Sequence, residues 1–337
     1  ISVPLAFYQA TGCASKHSAL IKGSLAIEKL SKIKTIAFDK TGTLTKGSFS
    51  LKAIRCLGVK AEVLELLAYS EFYSTHPLSS VLIEEYKKVF GLEIDPKRIK
   101  DYTEIAGFGI RVLIDDKEVL VGNDKLMNNN NIKVPKYSSD YTVTHIACDK
   151  KYLGYAEFCD GIKNEAKTSI SQIKKLGITP VILSGDKKES VEAVCGVLDI
   201  KKYGYELLPQ DKVKRMEELQ NDGLVAFAGD GINDAPVICF SDVGIAMGIE
   251  GSTSTIEASD IVILSDNLES IVKSIKISKK TMKIVWQIIV LSVFIKALIM
   301  FFGILGYTNL WIAVLGDVGV SILCILNALR TSNYPED

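Results

Sequence analysis

Apolar and polar positions alternate along most of this chain in a repeating pattern. Short apolar runs with the length of buried strands end in polar, often glycine-containing turns and are followed by stretches with helical patterning. Strands that alternate with helices predict a parallel, doubly wound α/β sheet. The predicted strands are 35–38, 180–183, 225–228, 243–247 and 261–264, and the predicted helices are 163–176, 188–198 and 212–220.

A different pattern interrupts this repeat between Gly47 and Cys159. Its predicted elements are helices at 62–69 and 78–90 and strands at 111–114 and 119–122. The polar run from Asn128 to Asn131 is expected to be a surface loop. The interrupting stretch has the size of a domain, so we predict an inserted α+β domain at 47–158.

Two long apolar stretches lie near the end of the sequence. The stretches 284–306 and 310–329 each contain a single charged residue, Lys296 and Asp317 respectively, and each is long enough to span a bilayer. We therefore predict a hairpin of two transmembrane helices. The lysines between 273 and 283 and Arg330 after the second helix place both ends in the cytosol.

The composition narrows the function classes. Forty basic and forty acidic residues cancel, so no global charge favours nucleic acid as a partner. A mean hydropathy of +0.21 is high for a purely soluble protein and agrees with the apolar stretches. The 7 cysteines form no CxxC pair, which favours free thiols in a cytosolic setting over a disulfide framework.

Reactive side chains follow three of the predicted strands. Asp39 ends the first, Ser184 ends the second and Asp230 follows the third, while Lys212 precedes that third strand. The carboxyl ends of parallel strands meet at one edge of a sheet, where such folds bind their ligands. A carboxylate nucleophile, a hydroxyl, a lysine and oxygen ligands for Mg²⁺ are what phosphoryl transfer needs. We interpret Asp39 as the nucleophile.

Two runs of sequence carry a family resemblance. Asp39-Lys40-Thr41-Gly42-Thr43 and Gly229-Asp230-Gly231-Ile232-Asn233-Asp234 resemble the two signature motifs of P-type ATPases, whose phosphorylation domain has the haloacid-dehalogenase-like fold. The resemblance implies that Asp39 accepts phosphate from ATP, and that Asp230 and the main-chain carbonyl of Thr41 bind Mg²⁺. It implies supporting catalytic, ATP-binding or metal-binding roles for Lys40, Ser184, Gly185, Asp186, Lys212, Asn233 and Asp234.

The residue two positions after the nucleophile separates two kinds of enzyme. Related phosphatases have an aspartate there, which acts as general acid and base in hydrolysing the acyl phosphate. This chain has Thr41, which cannot do so at neutral pH. A long-lived phosphoenzyme suits a pump better than a membrane-tethered phosphatase, which stays as an alternative. The family usually has threonine at the position of Ser184, and serine keeps the hydroxyl.

The inserted stretch resembles the nucleotide-binding domain of heavy-metal P-type ATPases. Its Ser-Thr-His76-Pro77 and Gly107-Phe-Gly109 runs are similar to the motifs that line the ATP pocket of that family. The resemblance implies that His76 packs at the adenine or phosphate end, that Glu71 contacts the base and that the two glycines let the backbone approach. Alone, a His-Pro pair is usually a helix start and a Gly-x-Gly run is usually a turn.

Asp160 marks the return to the first domain. It resembles the hinge acid with which the family closes its two domains over ATP, and an ordinary N-cap for the helix predicted at 163–176 is the competing role.

Lys296 and Asp317 indicate a subgroup. Charges inside membrane spans are expensive and mark functional sites by default, although a structural salt bridge is an open alternative. A lysine in the first helix and an Asp-x-Gly in the second resemble the zinc-, cadmium- and lead-exporting subgroup, and carboxylate oxygen suits a divalent cation better than monovalent copper. Asp317 would be a metal ligand and Lys296 its counter-ion. A copper exporter is the alternative within the family.

The expected domain order follows. Residues 1–33 are a membrane-helix end and stalk, 34–46 and 159–267 form the phosphorylation domain, 47–158 the nucleotide-binding domain, and 268–337 a stalk and two transmembrane helices. Cys-Pro-Cys and Thr-Gly-Glu motifs are absent, so we expect a fragment or split product that works with a separate N-terminal half, or an inactive remnant. The expected location is a plasma or inner membrane, with the catalytic domains in the cytoplasm.

Overall fold

A computed structural model describes residues 1–74, 76–105, 107–137, 139, 141–230, 234–248, 253–305 and 310–334. The helices are α1 (Ser2–Lys16), α2 (Ser24–Lys32), α3 (Lys60–Ser70), α4 (Pro77–Phe90), α5 (Asp124–Asn129), α6 (Ala166–Lys175), α7 (Lys188–Leu198), α8 (Pro209–Gln220), α9 (Ala235–Phe240), α10 (Thr253–Ala258), α11 (Glu269–Ile304) and α12 (Leu310–Leu329). The strands are β1 (Ala19–Ile21), β2 (Thr35–Phe38), β3 (Thr45–Cys56), β4 (Ile99–Ile105), β5 (Gly109–Ile114), β6 (Lys117–Gly122), β7 (Thr142–Cys148), β8 (Lys151–Ile162), β9 (Thr179–Leu183), β10 (Lys202–Gly204), β11 (Val225–Gly229), β12 (Val243–Met247) and β13 (Ile261–Ile263).

The chain divides into two compact units. Unit 1 comprises residues 1–44, 164–186 and 195–337, and unit 2 comprises 45–163 and 187–194.

Unit 1 contains a seven-stranded sheet in the order β1-β13-β12-β11-β2-β9-β10. All pairings from β13 to β10 are parallel, as predicted, and β1 joins the edge antiparallel to β13. Ala37 of β2 packs with Phe227 and with residues of α8 and α9. Its neighbours Ile36 and Phe38 point to the opposite face and are also fully buried. A strand that is apolar on both faces is typical of a parallel sheet covered on both sides.

Strand β1 corrects one expectation. Residues 1–33 were expected to form a membrane-helix end and a stalk, but Ala19–Ile21 is an edge strand and α2 follows it. The strand has three residues, of which two are buried. It is therefore too short to show an alternating apolar pattern in the sequence.

Helices α1, α11 and α12 of unit 1 pack on one another. Ala6, Ile288 and Cys324, one from each helix, are buried in a common cluster. Helix α11 is continuous, so the predicted stalk and the first predicted span belong to one helix. Among the described residues, this is the helix that is long and apolar enough to cross a membrane, and most of that stretch is exposed. The predicted turn at 306–309 lies outside the described residues.

Unit 2 is built on a six-stranded antiparallel sheet in the order β3-β8-β7-β6-β5-β4. Helices α3 and α4 pack on one face with Val112, Val121 and Phe158. Helix α5 packs on the other face, where Met127 and Leu120 are buried. The predicted hairpin joins β5 to β6 through Asp115 and Asp116, which both have positive φ.

Two local predictions in this region were wrong. Asn128 and Asn129 were expected in a loop, but they form the last turn of α5, which Asn123 caps by accepting a hydrogen bond from the main-chain N of Leu126. Asp160 was offered as a helix N-cap, but it lies in β8, and α6 begins later at Ala166 with Glu165 before it. Asp160 lies in a strand because the pairing of β8 with β3 continues to Ile162.

Candidate functional site

The centre of unit 1 is Asp39, at the carboxyl end of β2. Its main-chain N donates to the carbonyl O of Ala228 at 2.9 Å, which continues the pairing with β11. Only 8% of the residue is exposed. The chain then turns through Thr41 (φ −74°, ψ 131°) and Gly42 (φ +71°). Asp39 therefore lies where the sequence predicted it, at the carboxyl-terminal end of a central strand in a buried sheet.

Gly42 is required by its neighbour as well as by its backbone conformation. A Cβ atom at this position would lie 1.7 Å from Oδ2 of Asp230. Any side chain would collide with that carboxylate, and a positive φ is costly for residues other than glycine. The turn after Asp39 and the acidic residue after β11 are thus in direct contact.

Lys212 joins the carboxylates of this site. It lies in the first turns of α8, which begins with Pro209 at its first helical position. Its Nζ donates to Oδ1 of Asp39 at 2.5 Å and to Oδ1 of Asp234 at 2.7 Å. All three side chains are nearly buried, with exposed fractions of 9%, 12% and 5%. One ammonium group therefore bridges two carboxylates.

Negative charge exceeds positive charge around Asp39. Carboxylate oxygens of Asp39, Asp230 and Asp234 lie within 4.8 Å of one another. Burial and then the charge of Asp234 raise the pKa of Asp39 to about 7, although Lys212 opposes this. Burial disfavours the Lys212 ammonium, but the charges of Asp39 and Asp234 outweigh it and raise the pKa of this lysine. Three hard oxygen donors with a deficit of positive charge fit a divalent cation such as Mg²⁺.

The end of β9 supplies the next group of predicted residues. Ser184 is buried, its main-chain N donates to the carbonyl O of Gly204, and its hydroxyl accepts from the main-chain N of Asp186 at 3.1 Å. The carboxylate of Asp186 forms an ion pair with the buried Lys40. A Cβ at Gly185 would lie 3.3 Å from the carbonyl O of Leu207, a tight contact.

The predicted residue Asn233 lies outside the described residues. Thr41 belongs to the turn after Asp39, and its backbone is extended there.

A cavity of about 300 Å³ in unit 2 contains the second group of predicted residues. Glu71, His76, Gly107 and Gly109 all line it. Glu71 is buried, and its Oε2 accepts a hydrogen bond from the Ser79 hydroxyl at 2.6 Å. The cavity is therefore closed on one side by a carboxylate that is already held in place.

His76 and the glycines shape the mouth of this cavity. His76 is exposed and precedes α4, where its Nδ1 accepts from the main-chain N of Leu78 at 3.2 Å; Pro77 is the first residue of that helix. Gly107 has a φ of +76°. A Cβ at Gly109 would lie 2.2 Å from the carbonyl O of Val121, so the close approach of β5 and β6 requires glycine.

Gly122 and Asn123 also line the cavity, and they were not assigned to it from the sequence. A Cβ at Gly122 would lie 2.2 Å from the carbonyl O of Phe108. Asn123 donates from its main-chain N to Phe108 O at 3.0 Å and from Nδ2 to Gly107 O at 2.9 Å. The signal was a Gly-Asn pair at the end of a predicted strand, which indicates a turn or a close backbone approach. In the fold, Asn123 of this pair also holds the loop of Gly107 through its hydrogen bonds.

Asp160 and the two charged residues of the apolar helices complete the predicted set. The carboxylate of Asp160 accepts a hydrogen bond from the hydroxyl of Thr45, within unit 2. Lys296 of α11 and Asp317 of α12 form an ion pair, with Nζ 2.9 Å from Oδ1. Their side chains are 59% and 63% exposed.

Comparisons with known proteins agree with this geometry. A family model described as "Hydrolase: haloacid dehalogenase-like hydrolase" matches residues 33–238. A cadmium, zinc and cobalt-transporting ATPase of Bacillus subtilis (strain 168) is 40% identical over 98% of this chain and 47% of its own length. A zinc-transporting ATPase of Synechocystis sp. (strain PCC 6803) is 41% identical over 98% of this chain and 46% of its own length. The chain thus spans about half the length of the curated relatives it matches.

Solved structures give the same result. The crystal structure of a zinc-transporting PIB-type ATPase in an E2·Pi state superposes with a TM-score of 0.84 at 31% identity, covering 99% of this chain and 55% of the other. The catalytic domain of a CPx-ATPase gives a TM-score of 0.66 at 28% identity, covering 77% of this chain and 96% of the other. The predicted haloacid-dehalogenase-like fold class is confirmed, and so is the resemblance to zinc- and cadmium-transporting P-type ATPases.

Proposed function

The chain belongs to the haloacid dehalogenase-like hydrolase family, and on that premise we propose that it is the catalytic and C-terminal membrane part of an ATP-driven exporter of divalent heavy-metal cations. The observation that carries the proposal is the Lys212 ammonium, shared by the buried Asp39 and Asp234. It holds Asp39 at the end of a strand, with further carboxylates in reach for a cation. Members of this family and P-type ATPases use ATP and Mg²⁺ in general.

Asp39 is the proposed nucleophile. One of its carboxylate oxygens forms a bond to the γ-phosphorus of ATP, the bond from that phosphorus to the β–γ bridging oxygen breaks, and ADP leaves. Lys212 is positioned to donate to the phosphoryl oxygens as well as to the carboxylates, and Ser184 offers a hydroxyl at the neighbouring strand end. Bound Mg²⁺ would offset the negative charge of the carboxylates and the phosphoryl group, held by Asp39, Asp230, Asp234 and the carbonyl of Thr41.

The phosphorylated aspartate should persist. Thr41 has no group that can act as general base at neutral pH, so the chain does not itself provide rapid hydrolysis of the acyl phosphate. This favours a transport cycle over the alternative of a membrane-tethered phosphatase.

Unit 2 is the proposed ATP-binding domain. Its cavity combines the exposed imidazole of His76, the carboxylate of Glu71 and a glycine-built wall at Gly107 and Gly109. Glycines let the main chain approach a planar ligand closely. Asp160 is the proposed hinge acid for domain closure, and Gly185 and Asp186 are proposed to contact the nucleotide when the domains close.

Asp317 and Lys296 are the proposed transport site. Carboxylate oxygen favours divalent zinc, cadmium or lead over monovalent copper. Lys296 would serve as counter-ion to Asp317 when no metal is bound. We further propose that α11 and α12 both cross the bilayer and that the catalytic units face the cytoplasm, since the first half of α11 carries lysines before its apolar stretch and Arg330 follows α12.

The test of the phosphorylation step uses the purified chain with radiolabelled ATP and Mg²⁺. We expect an acid-stable, hydroxylamine-labile label that Asp39→Asn abolishes. Absence of the label, or equal labelling of Asp39→Asn, would contradict the proposal. The subgroup is tested by measuring ATP hydrolysis after the chain is assembled in liposomes with the remaining half of a zinc-transporting relative. Stimulation by Zn²⁺ or Cd²⁺ is expected, and stimulation by Cu⁺ alone would exclude this subgroup.

A further inference from the structure

A buried histidine lies directly behind one wall of the cavity in unit 2. His145 of β7 has no exposed surface, and in the sheet register it stands opposite Gly122, which lines the cavity. The phosphoryl-transfer scheme and the nucleotide contacts proposed above do not use this imidazole. A buried imidazole needs partners for its ring nitrogens, because an unsatisfied polar group in the interior is costly.

Two side chains face those nitrogens. Nε2 of His145 lies 3.1 Å from Oδ1 of Asp124, and Nδ1 lies 2.8 Å from the hydroxyl O of Tyr152. A carboxylate can only accept, so Nε2 carries the proton and Nδ1 accepts from the Tyr152 hydroxyl. The other oxygen of Asp124 accepts a hydrogen bond from the Tyr137 hydroxyl at 2.9 Å. One oxygen of Asp124 therefore accepts a hydrogen bond, and the other lies within ion-pair distance of the His145 ring without the alignment of a hydrogen bond.

Asp124 is joined to the cavity through the residue before it. Asn123 donates to the carbonyl oxygens of Gly107 and Phe108, and its own Oδ1 accepts from the main-chain N of Leu126. The junction between β6 and α5 is thus fastened on one side to the glycine loop and on the other side to His145. A shift of Asp124 would move Asn123 and the cavity wall with it.

We propose that His145 is a positioning residue of the nucleotide cavity, which acts through Asp124 to hold Asn123 against the loop of Gly107. The inference rests on the proposed function, in which this cavity takes ATP. His145 does not itself line the cavity. Substitution of His145 should therefore change the affinity for ATP and leave the bond-forming step at Asp39 unchanged.

The pH dependence gives one readout of this role. Burial lowers the pKa of His145, and the charge of Asp124 partly opposes that effect. The other titratable groups facing the ring are Tyr137, Tyr152, Tyr155 and Lys187. Protonation would place a second N–H against the Tyr152 hydroxyl, which would have to change from donor to acceptor. ATP affinity should consequently fall as His145 becomes protonated at acidic pH.

The main experiment measures ATP binding to the full chain by calorimetry at neutral pH and at a series of acidic pH values. His145→Gln keeps an amide donor for Asp124, whereas His145→Phe keeps none. We expect His145→Phe to weaken ATP binding about tenfold and to lose the acidic step in affinity, and His145→Gln to retain most of the affinity. The control is His17→Phe, a histidine of unit 1. Equal affinity of His145→Phe and the unsubstituted chain would overturn the inference.

A second measurement does not depend on nucleotide. Hydrogen exchange of the Asn123 amide, which donates to Phe108 O, should be faster in nucleotide-free His145→Phe than in the unsubstituted chain and in His145→Gln. If exchange changes in this way but the unsubstituted chain binds no ATP, the proposed function fails and the positioning role stands. If ATP binds and neither exchange nor affinity changes, the positioning role fails.

Tyr137→Phe covers the case in which His145→Phe does not fold. This variant removes only the hydroxyl that donates to Asp124. It should speed exchange of the same Asn123 amide by a smaller factor than His145→Phe would. Unchanged exchange in Tyr137→Phe would overturn the inference.

Discussion

Among the lysine–aspartate ion pairs of unit 1, two have the same chemistry and opposite surroundings. Lys212 bonds Asp39 and Asp234 where the three side chains are between 5% and 12% exposed. Lys296 bonds Asp317 where both side chains are more than half exposed. In the first pair the protein itself removes water, so each charge interacts strongly with its neighbours. In the second pair, the strength of the interaction depends on the medium around α11 and α12, because both side chains are exposed to it.

The difference in exposure determines what sets the strength of each ion pair. A half-exposed ion pair contributes little in water, but a charge in hydrocarbon is costly. The Lys296–Asp317 pair therefore depends on the membrane or on further helices. The site at Asp39 has a surplus of carboxylates that the chain alone creates, and it calls for a cation. Substitutions at the Asp39 site should therefore have an effect in the isolated chain. Substitutions at Lys296 or Asp317 should have an effect only when the chain is in a membrane.

The largest effect is expected for Lys212→Met. This change removes the donor shared by Asp39 and Asp234, and it leaves two buried carboxylates without their partner. We expect the rate of phosphoenzyme formation to fall about 10²- to 10³-fold and the free energy of unfolding to fall by about 3–5 kcal/mol. Rapid-quench labelling and denaturant unfolding measure the two quantities. Lys214→Met, at an exposed lysine of the same helix, is the control and should change neither.

Gly42→Ala should have the next largest effect. The new Cβ would meet Oδ2 of Asp230 at 1.7 Å and would strain a backbone with φ of +71°. A displacement of about 1 Å in a catalytic group commonly costs about a hundredfold in rate, and we expect that loss in labelling at subsaturating Mg²⁺. Gly12→Ala is the matched control, because its Cβ would meet no atom within 4 Å in the helix α1. Normal labelling of Gly42→Ala would show that Asp230 is free to move away.

Lys296→Met tests the second pair. In detergent, phosphorylation of Asp39 by ATP should change less than about twofold, because the pair is exposed and lies far along α11 from the sheet. In liposomes with the remaining half of a relative, the metal affinity measured from the stimulation of ATP hydrolysis should rise about tenfold, because the ammonium that competes with the metal for Asp317 is removed. A strong loss of phosphorylation already in detergent would contradict the separation of the two pairs.

The sequence pattern predicted the position of Asp39 better than the contacts around it. Asp39 and the strand before it are encoded locally, by an apolar run that ends in a carboxylate, and the structure places both as expected. The contact of Lys212 with Asp234 was not predicted, because it depends on how α8 packs against the sheet. Lys212 itself was named among the site residues, but no local pattern states which carboxylates it reaches.

The cavity in unit 2 was predicted only in part, for a related reason. His76 and Gly109 belong to recognisable runs, but Gly122 and Asn123 contribute through cross-strand contacts that span more than ten residues of sequence. The three-residue strands β1 and β10 were missed because they are too short to show alternation. Long-range pairing is what the single sequence leaves undetermined.

The smallest expected effect concerns pH and again separates the two pairs. Because the pKa of Asp39 is raised to about 7, this carboxylate is largely protonated below that pH, and a proton must leave before a divalent cation can bind there. The affinity for Mg²⁺ should therefore rise about fivefold between about pH 6 and pH 7, and about twofold more before it levels off above about pH 8. Calorimetry in buffers of different ionisation enthalpy would measure both the affinity and the proton released. Asp39→Asn should remove the released proton and flatten the dependence, whereas Asp317→Asn should leave both unchanged. An unaltered pH dependence in Asp39→Asn would mean that another group of the site, and not the nucleophile, holds the proton that Mg²⁺ displaces.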